Sequence, residues 1–330
     1  NARNQGLSDF IGTLGTDLHF SRPSPTLAIR ASAGIRFIRY LDNSQYDDEN
    51  FKFDLSVNPG QRFEGERFSF SVDLVLNSQT RSEEALGEIV NVRTYGLATE
   101  LTYRVNQRLT LVGNAGSQIE DPDSDRFDEV QRSNVGIAAR FPIRKEMTGE
   151  LGASYQKTDS DEGLRSEHDT ITVFVGLRDQ LLSKVTGSLS VGLQQRSFES
   201  REDSTTPYLS GSLEWYINET TSSSIRSSYQ TNTTFNDLTT ESLDFSLIFR
   251  RQLNRDWSAS AGLGYTDITY ESLIAADRED DEYYATASLN WKFSRWGSLS
   301  ASIRYSDRSS NEDFFRYDRL RTGIGFRARW

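Results

Sequence analysis

Apolar and polar side chains alternate along this chain with a period of two, almost from end to end. In residues 299–305, Leu299, Ala301, Ile303 and Tyr305 fall on one side, and Ser300, Ser302 and Arg304 on the other. Residues 283–293 repeat the arrangement, with Tyr283, Ala285, Ala287, Leu289, Trp291 and Phe293 set against Thr286, Ser288, Asn290 and Lys292. Successive side chains of a strand point to opposite faces, so the pattern predicts a sheet with one apolar and one wet face. Further copies occupy 27–37, 68–76, 95–103, 109–115, 147–155, 185–193 and 257–265.

Seventeen such segments follow one another, over 9–21, 27–41, 49–58, 66–78, 92–105, 108–118, 132–142, 146–157, 169–179, 184–197, 206–217, 220–231, 241–252, 256–270, 282–293, 298–307 and 317–330. Most run ten to fourteen residues, enough to cross a bilayer at a tilt of ~45°. Their connections alternate in kind. Short ones include Arg22-Pro-Ser-Pro, Asn106-Gln, Arg144-Lys, Asn218-Glu, Asn254-Arg and Arg295-Trp-Gly. Longer, acidic ones occupy 42–48, 79–91, 119–131, 158–168, 198–205, 271–281 and 308–316. Short periplasmic turns and longer external loops are the arrangement of an outer-membrane β-barrel. A soluble sandwich has no reason to keep that strict alternation.

The whole of 1–330 therefore reads as a single all-β domain, a transmembrane antiparallel up-and-down barrel in the bacterial outer membrane. The last strand must descend to the periplasm, and counting back through the loop types makes 9–21 descend too. Bacterial single-chain barrels have even strand numbers. The expectation is eighteen strands, seventeen of them visible, with an ascending strand ahead of Asn1. The alternative is sixteen, with 9–21 a plug or helix carrying Leu7, Phe10, Ile11, Leu14 and Leu18 on one face. Gly12, Gly15, Thr13 and Thr16 weigh against helix there.

Composition narrows the class. The chain is polar on average, with mean hydropathy −0.61, yet 12% aromatic, which suits an aromatic-girdled barrel with a wet lumen. There is no Cys, which excludes disulfides, thiolate metal sites and Cys nucleophiles. No stretch approaches the roughly 18 apolar residues of a spanning helix. Asn1-Ala-Arg-Asn opens straight into polar sequence, as expected of an exported chain that has lost its signal. The net charge of −11 argues against nucleic acid as a partner.

The final residues, Phe326-Arg-Ala-Arg-Trp330, resemble the C-terminal signal by which the barrel-assembly machinery recognises its clients. Ser8-Asp-Phe-Ile-Gly-Thr-Leu-Gly, then Arg39-Tyr-Leu-Asp-Asn-Ser and Phe51-Lys-Phe-Asp-Leu-Ser, resemble the opening of the putative β-barrel porin 2 family. The resemblance covers the chain as a pattern and residues 1–58 as recognisable wording. It implies one strand ahead of the first loop, and an outer-membrane exit working beside exopolysaccharide synthesis and export proteins of the periplasm and inner membrane. It implies no catalytic motif and no cofactor.

Alternation assigns Arg30, Arg36, Lys52, Arg104, Arg140, Arg178, Arg226, Arg250, Lys292, Arg304, Arg319, Arg321 and Arg327 to the lumen. The acidic lumen positions are Asp17, Asp54, Asp73, Glu100, Glu150, Glu214 and Asp244. Thirteen basic against seven acidic makes the lumen basic inside a chain that is acidic overall. Rings of lumen charge set selectivity, so the pore is expected to favour anions, and arginines suit the carboxylates of an acidic polysaccharide. The alternative is that these charges only pair across strands and hold the wall together. A general diffusion porin and a structural anchor for a surface layer or appendage are the other functional readings.

The remaining chemistry is thin. Asp121-Pro-Asp-Ser-Asp125 and Asp159-Ser-Asp-Glu-Gly163 cluster oxygen ligands of the kind Ca²⁺ prefers. In the first, Arg126 stands where an EF-hand needs Gly and Arg132 where it needs the bidentate Glu, so a solvated loop beside lipopolysaccharide is expected instead. His19 and His168 are the only histidines, and an acid beside either does not make a hydrolase. No enzyme and no resident metal are expected. Trp215, Trp257, Trp291, Trp296 and Trp330 gather near the short turns, as in an interfacial girdle rather than a carbohydrate-stacking slide.

Overall fold

The computed structural model describes residues 10–328, apart from 25, 43, 45–46, 60–66, 84–87, 124–127, 161–166, 199–201, 234–238 and 272–276. It contains seventeen strands among these residues: β1 (Ile11–Arg22), β2 (Leu27–Tyr40), β3 (Asp48–Pro59), β4 (Phe68–Glu83), β5 (Glu88–Asn106), β6 (Leu109–Pro122), β7 (Val130–Arg144), β8 (Met147–Ser160) and β9 (His168–Leu182). The second half supplies β10 (Val185–Phe198), β11 (Ser204–Asn218), β12 (Thr221–Thr233), β13 (Thr239–Gln252), β14 (Trp257–Glu271), β15 (Arg278–Lys292), β16 (Gly297–Ser310) and β17 (Tyr317–Ala328). A single 3₁₀ turn, Asp313–Phe315, sits between β16 and β17.

Every strand pairs antiparallel with its neighbours in sequence, which is the up-and-down order. The first segment is a strand, not a plug helix. All twelve of its residues are in register with β2, from Ile11 opposite Tyr40 to Arg22 opposite Ile29. That overturns the sixteen-strand alternative. The wall is open between β1 and β17, each of which pairs on one side among the described residues. With an odd number of alternating strands these two edges run in the same direction, so antiparallel closure between them takes one further strand running the other way.

The strands outlast the sequence expectation at their outer ends. Residues 79–83 and 88–91, expected in a loop, extend β4 and β5, with Gln79 opposite Val92 and Ser82 opposite Ile89. Parts of 119–131, 158–168, 198–205, 271–281 and 308–316 are likewise strand. A fourteen-residue strand is ~46 Å long, and at ~45° it rises ~33 Å, more than the ~25 Å apolar band of such barrels. The surplus stands in water. There a charged residue that read as loop, Glu120, pairs across the strands with Arg132 at 2.8 Å. Polarity marked the end of the membrane, not the end of the ladder.

Register also fixes the two faces. Leu97, Leu101, Val135, Ile137, Leu151, Val173, Val175, Leu263, Ile303 and Ile324 are all half or more exposed or nearly so, and share one face. In lipid that exposure is favourable, because the hydrocarbon replaces a protein core. Few apolar residues are buried: the one buried apolar cluster among the described residues is Val90, Val92 and Val130. At the short-turn end Trp257 stacks on Trp291 at 5.5 Å, and Phe293 meets Trp296 and Phe326 at 5.4 and 6.0 Å. These rings form an interfacial belt. Trp330 lies outside the described residues.

Candidate functional site: the lumen wall

The face opposite the apolar band carries all thirteen basic and all seven acidic positions assigned to it by alternation. Cross-strand partners share a face, so register puts these residues together on one side of the sheet. Arg140 lies opposite Glu150, Arg226 opposite Ser212 and Ser246, Arg250 opposite Ser260, and Lys292 and Arg327 both opposite Ser298.

Some of these charges satisfy one another. Glu150 accepts from Arg140 Nε at 2.6 Å and Arg178 Nη1 at 2.9 Å, tying β7, β8 and β9 together. Lys52 meets Asp54 at 2.9 Å, and Ser32 donates to the same carboxylate at 2.7 Å. Arg250 lies 3.7 Å from Glu214 and donates to Ser224 at 2.9 Å. Asp244 accepts from Thr266 at 2.9 Å. Others are left facing the lumen. Among the described residues no carboxylate lies within ion-pair distance of Arg30, Arg36, Arg226, Lys292, Arg319, Arg321 or Arg327.

Two features of this face escape alternation applied to short spans. The first is a layer of buried charge at the outer end. Arg308 bonds Glu282 at 2.7 Å and lies 3.7 Å from Asp280, which meets Arg278 at 3.2 Å. The Arg278 guanidinium lies between the rings of Tyr270 and Phe315, at 3.6 and 3.7 Å. The parity of 278, 280 and 282 continues that of Tyr284, and following it outward from β15 finds them. The second is serine. One continuous row runs from Ser188 through Ser212, Arg226, Ser246, Gly264, Tyr284 and Ser306 to Arg319, one residue per strand from β10 to β17. The row below it toward the short turns ends in Arg304 and Arg321, and the next carries Ser260, Ser288 and Ser302. Ser260 and Ser288 share a hydrogen bond of 2.8 Å.

Two aromatic side chains on this face, Tyr284 and Phe174, lie over glycines of the neighbouring strand. A side chain at Gly264 would collide with the ring of Tyr284, its cross-strand neighbour, and one at Gly152 with the ring of Phe174. These two rings cover bare backbone.

The acidic segments do not form a common cation centre in what is described. Asp121 and Asp123 lie 3.9 and 3.5 Å from Arg93, and Asp159 lies 2.7 Å from Lys157. Asp125 and 161–163 lie outside the described residues. Of the two histidines, His168 is buried against the ring of Phe198 at 5.2 Å, and His19 is exposed opposite Ser32.

A polar-lined antiparallel wall with an apolar exterior and an aromatic belt is that of an outer-membrane β-barrel of the porin and transporter kind. Residues 169–330, from β9 to β17, match the model of the putative beta-barrel porin 2 family. The matched stretch is thus the C-terminal half, and the wording that resembles that family in residues 1–58 lies outside it, with Ser8 and Asp9 also outside the described residues. Solved structures resemble the chain along nearly its whole length. They include the copper transporter OprC, at 10% identity and a TM-score of 0.53 over 96% of this chain and 64% of that one. A mutant of the ferric enterobactin receptor PfeA from Pseudomonas aeruginosa matches at 9% and 0.53 over 97% and 71%. The ferric citrate transporter FecA matches at 9% and 0.52 over 96% and 63%. At such identities the likeness is one of fold, and the chain spans about two-thirds of the length of these proteins. No curated protein matches it. Fold and family place the chain in the bacterial outer membrane.

Proposed function

We propose that this barrel is a hydrated outer-membrane exit for a polysaccharide, an anionic one, which passes without chemistry along the lumen. The observation that carries the reading is the serine-rich wall of β10–β17. Each hydroxyl can donate one hydrogen bond and accept two, and it rotates to suit its partner. Rows of them offer a sugar chain many weak, interchangeable contacts and no single strong one. A conducting path needs that balance, favourable enough to enter and loose enough to leave. The basic positions without a carboxylate partner, most of them on β12–β17 themselves, supply the anion preference. In this reading periplasmic polysaccharide-export proteins deliver the chain, the barrel-assembly machinery inserts the barrel through its C-terminal strand, and lipopolysaccharide surrounds its outer rim.

The test is single-channel conductance of the purified barrel in a planar bilayer, with ion selectivity, then with dextran or polygalacturonate added. The expected result is a large anion-preferring conductance that both polymers reduce reversibly, polygalacturonate at lower concentration. Ser288→Val with Ser302→Val should leave ion conductance near wild type and lengthen or abolish polymer events. Conductance untouched by either polymer overturns the export reading in favour of a general diffusion porin. Absence of conductance overturns the open pore and leaves a structural anchor for a surface layer or appendage.

A further inference from the structure

Arg304 on β16 and Arg321 on β17 are direct cross-strand partners on the lumen face. Arg319, two residues along β17, shares that face, opposite Ser306. Directly opposed side chains stand with their Cβ atoms about 5 Å apart, and like charges at that spacing repel. A sheet under no other demand has little reason to keep three guanidinium groups there.

The surroundings neutralise them only in part. The nearest carboxylate to Arg304 is Glu282 at 3.8 Å, and it is already engaged by Arg308 at 2.7 Å and the Tyr317 hydroxyl at 3.0 Å. Neither Arg319 nor Arg321 has a carboxylate within ion-pair distance among the described residues. What holds the cluster is aromatic. The Arg304 guanidinium lies 3.9 Å from the centre of the Tyr284 ring, which itself lies over Gly264. The Arg319 guanidinium lies 4.6 Å from the Tyr317 ring. Ring faces support a cation without cancelling its charge toward water. Arg304 Nε also reaches the Ser306 hydroxyl at 3.4 Å, and close to half of the Arg304 side chain remains open to the lumen.

We infer that Arg304, Arg319 and Arg321 form an oxyanion-binding station on the lumen wall, for the acidic substituents of a saccharide chain. Two oxygens of a carboxylate or a sulfate fit the planar fork of a guanidinium, which a lysine would not match. Three forks on adjacent strands take one such group, or two consecutive acidic residues of a polymer. The small side chains on its periplasmic side, Ser302, Ser300, Gly323 and Gly325, keep the approach unobstructed. The inference rests on the reading of the lumen as a polymer path. It adds where the polymer is held, and by which of its groups.

The experiment is isothermal titration of the detergent-solubilised barrel with trigalacturonate, with a sulfated trisaccharide of similar length and with neutral maltotriose. Wild type is expected to bind both anionic sugars and not maltotriose, and the ratio of the two anions distinguishes carboxylate from sulfate as the natural group. Arg319→Gln with Arg321→Gln should weaken anion binding at least tenfold. Arg327→Gln with Lys292→Gln, which removes the same charge at the short-turn end of the same wall, should weaken it less than threefold. Far-UV circular dichroism and heat-modifiable gel mobility confirm folding, and the conservative Arg321→Lys should recover only part of the affinity. Equal losses in both double variants overturn the station in favour of diffuse lumen charge, and so does binding of maltotriose as tight as of trigalacturonate. Because binding is read without conductance, a barrel that holds trigalacturonate but passes no current sinks the export reading alone. One that conducts but does not bind sinks the station alone.

Discussion

Arg140 and Glu150 face each other directly across β7 and β8, with Nε 2.6 Å from Oε2, and the same carboxylate oxygen takes Arg178 from β9. One acid thus serves two cations on three strands. Both arginines point into the lumen, so Glu150 screens charge that the pore would otherwise present to passing ions. Because the trio is only partly exposed, with Glu150 at 14%, its bonds contribute more than a surface pair does.

Glu150→Gln should therefore do two measurable things. It should raise the anion-to-cation permeability ratio in a salt-gradient reversal-potential measurement, since Arg140 and Arg178 lose their counter-ion. It should also lower barrel stability by about 1.5–3 kcal/mol, the range for hydrogen bonds to charged groups, read from the urea midpoint in lipid vesicles. An unchanged permeability ratio would mean that this part of the wall does not face the conducting path.

Lipid and lumen faces are distinguishable by a parity pair on a single strand. Leu263 lies at the middle of β14 on the apolar face, and Ser260, three residues away, faces the lumen. Leu263→Arg should destabilise the folded barrel by ~2–4 kcal/mol, the midplane figure for a charged group on the lipid face. Ser260→Arg should leave the stability within ~1 kcal/mol and increase anion preference. The readout is the folded fraction in vesicles of increasing urea content, and equal tolerance of both would contradict the assigned faces.

A third prediction concerns backbone. Gly187, opposite Asp179 in β9 and beside a register shift at Val185/Thr186, has φ 145°, which a side chain rarely adopts. A Cβ there would also run into the Ser212 carbonyl oxygen on β11. Gly187→Ala should therefore destabilise the barrel by at least the ~1–3 kcal/mol typical of backbone strain alone, whereas Gly113→Ala, whose nearest foreign atom is 3.9 Å away, should be neutral. Comparison of their thermal unfolding midpoints decides it.

The period-two alternation, with the alternation of short and long connections, determined the barrel class, the seventeen strands, the two faces of the sheet, and which charged residues share a face. It could, because side-chain direction along a strand is a local property with a period of two. Residues such as Arg304 and Arg321, seventeen positions apart, each show their face without reference to the other. It was misled at 79–83, 88–91 and parts of the other outer segments, because it took polarity for the end of pairing when the strands merely leave the membrane. Only the tertiary structure decided who meets whom. That Glu150 serves two arginines, that Glu282 is spent on Arg308 and Tyr317, and that Arg304, Arg319 and Arg321 are left together all depend on the offset between strands. That offset is set by turn geometry and by the ladder of backbone hydrogen bonds, neither of which is written in the alternation of side chains.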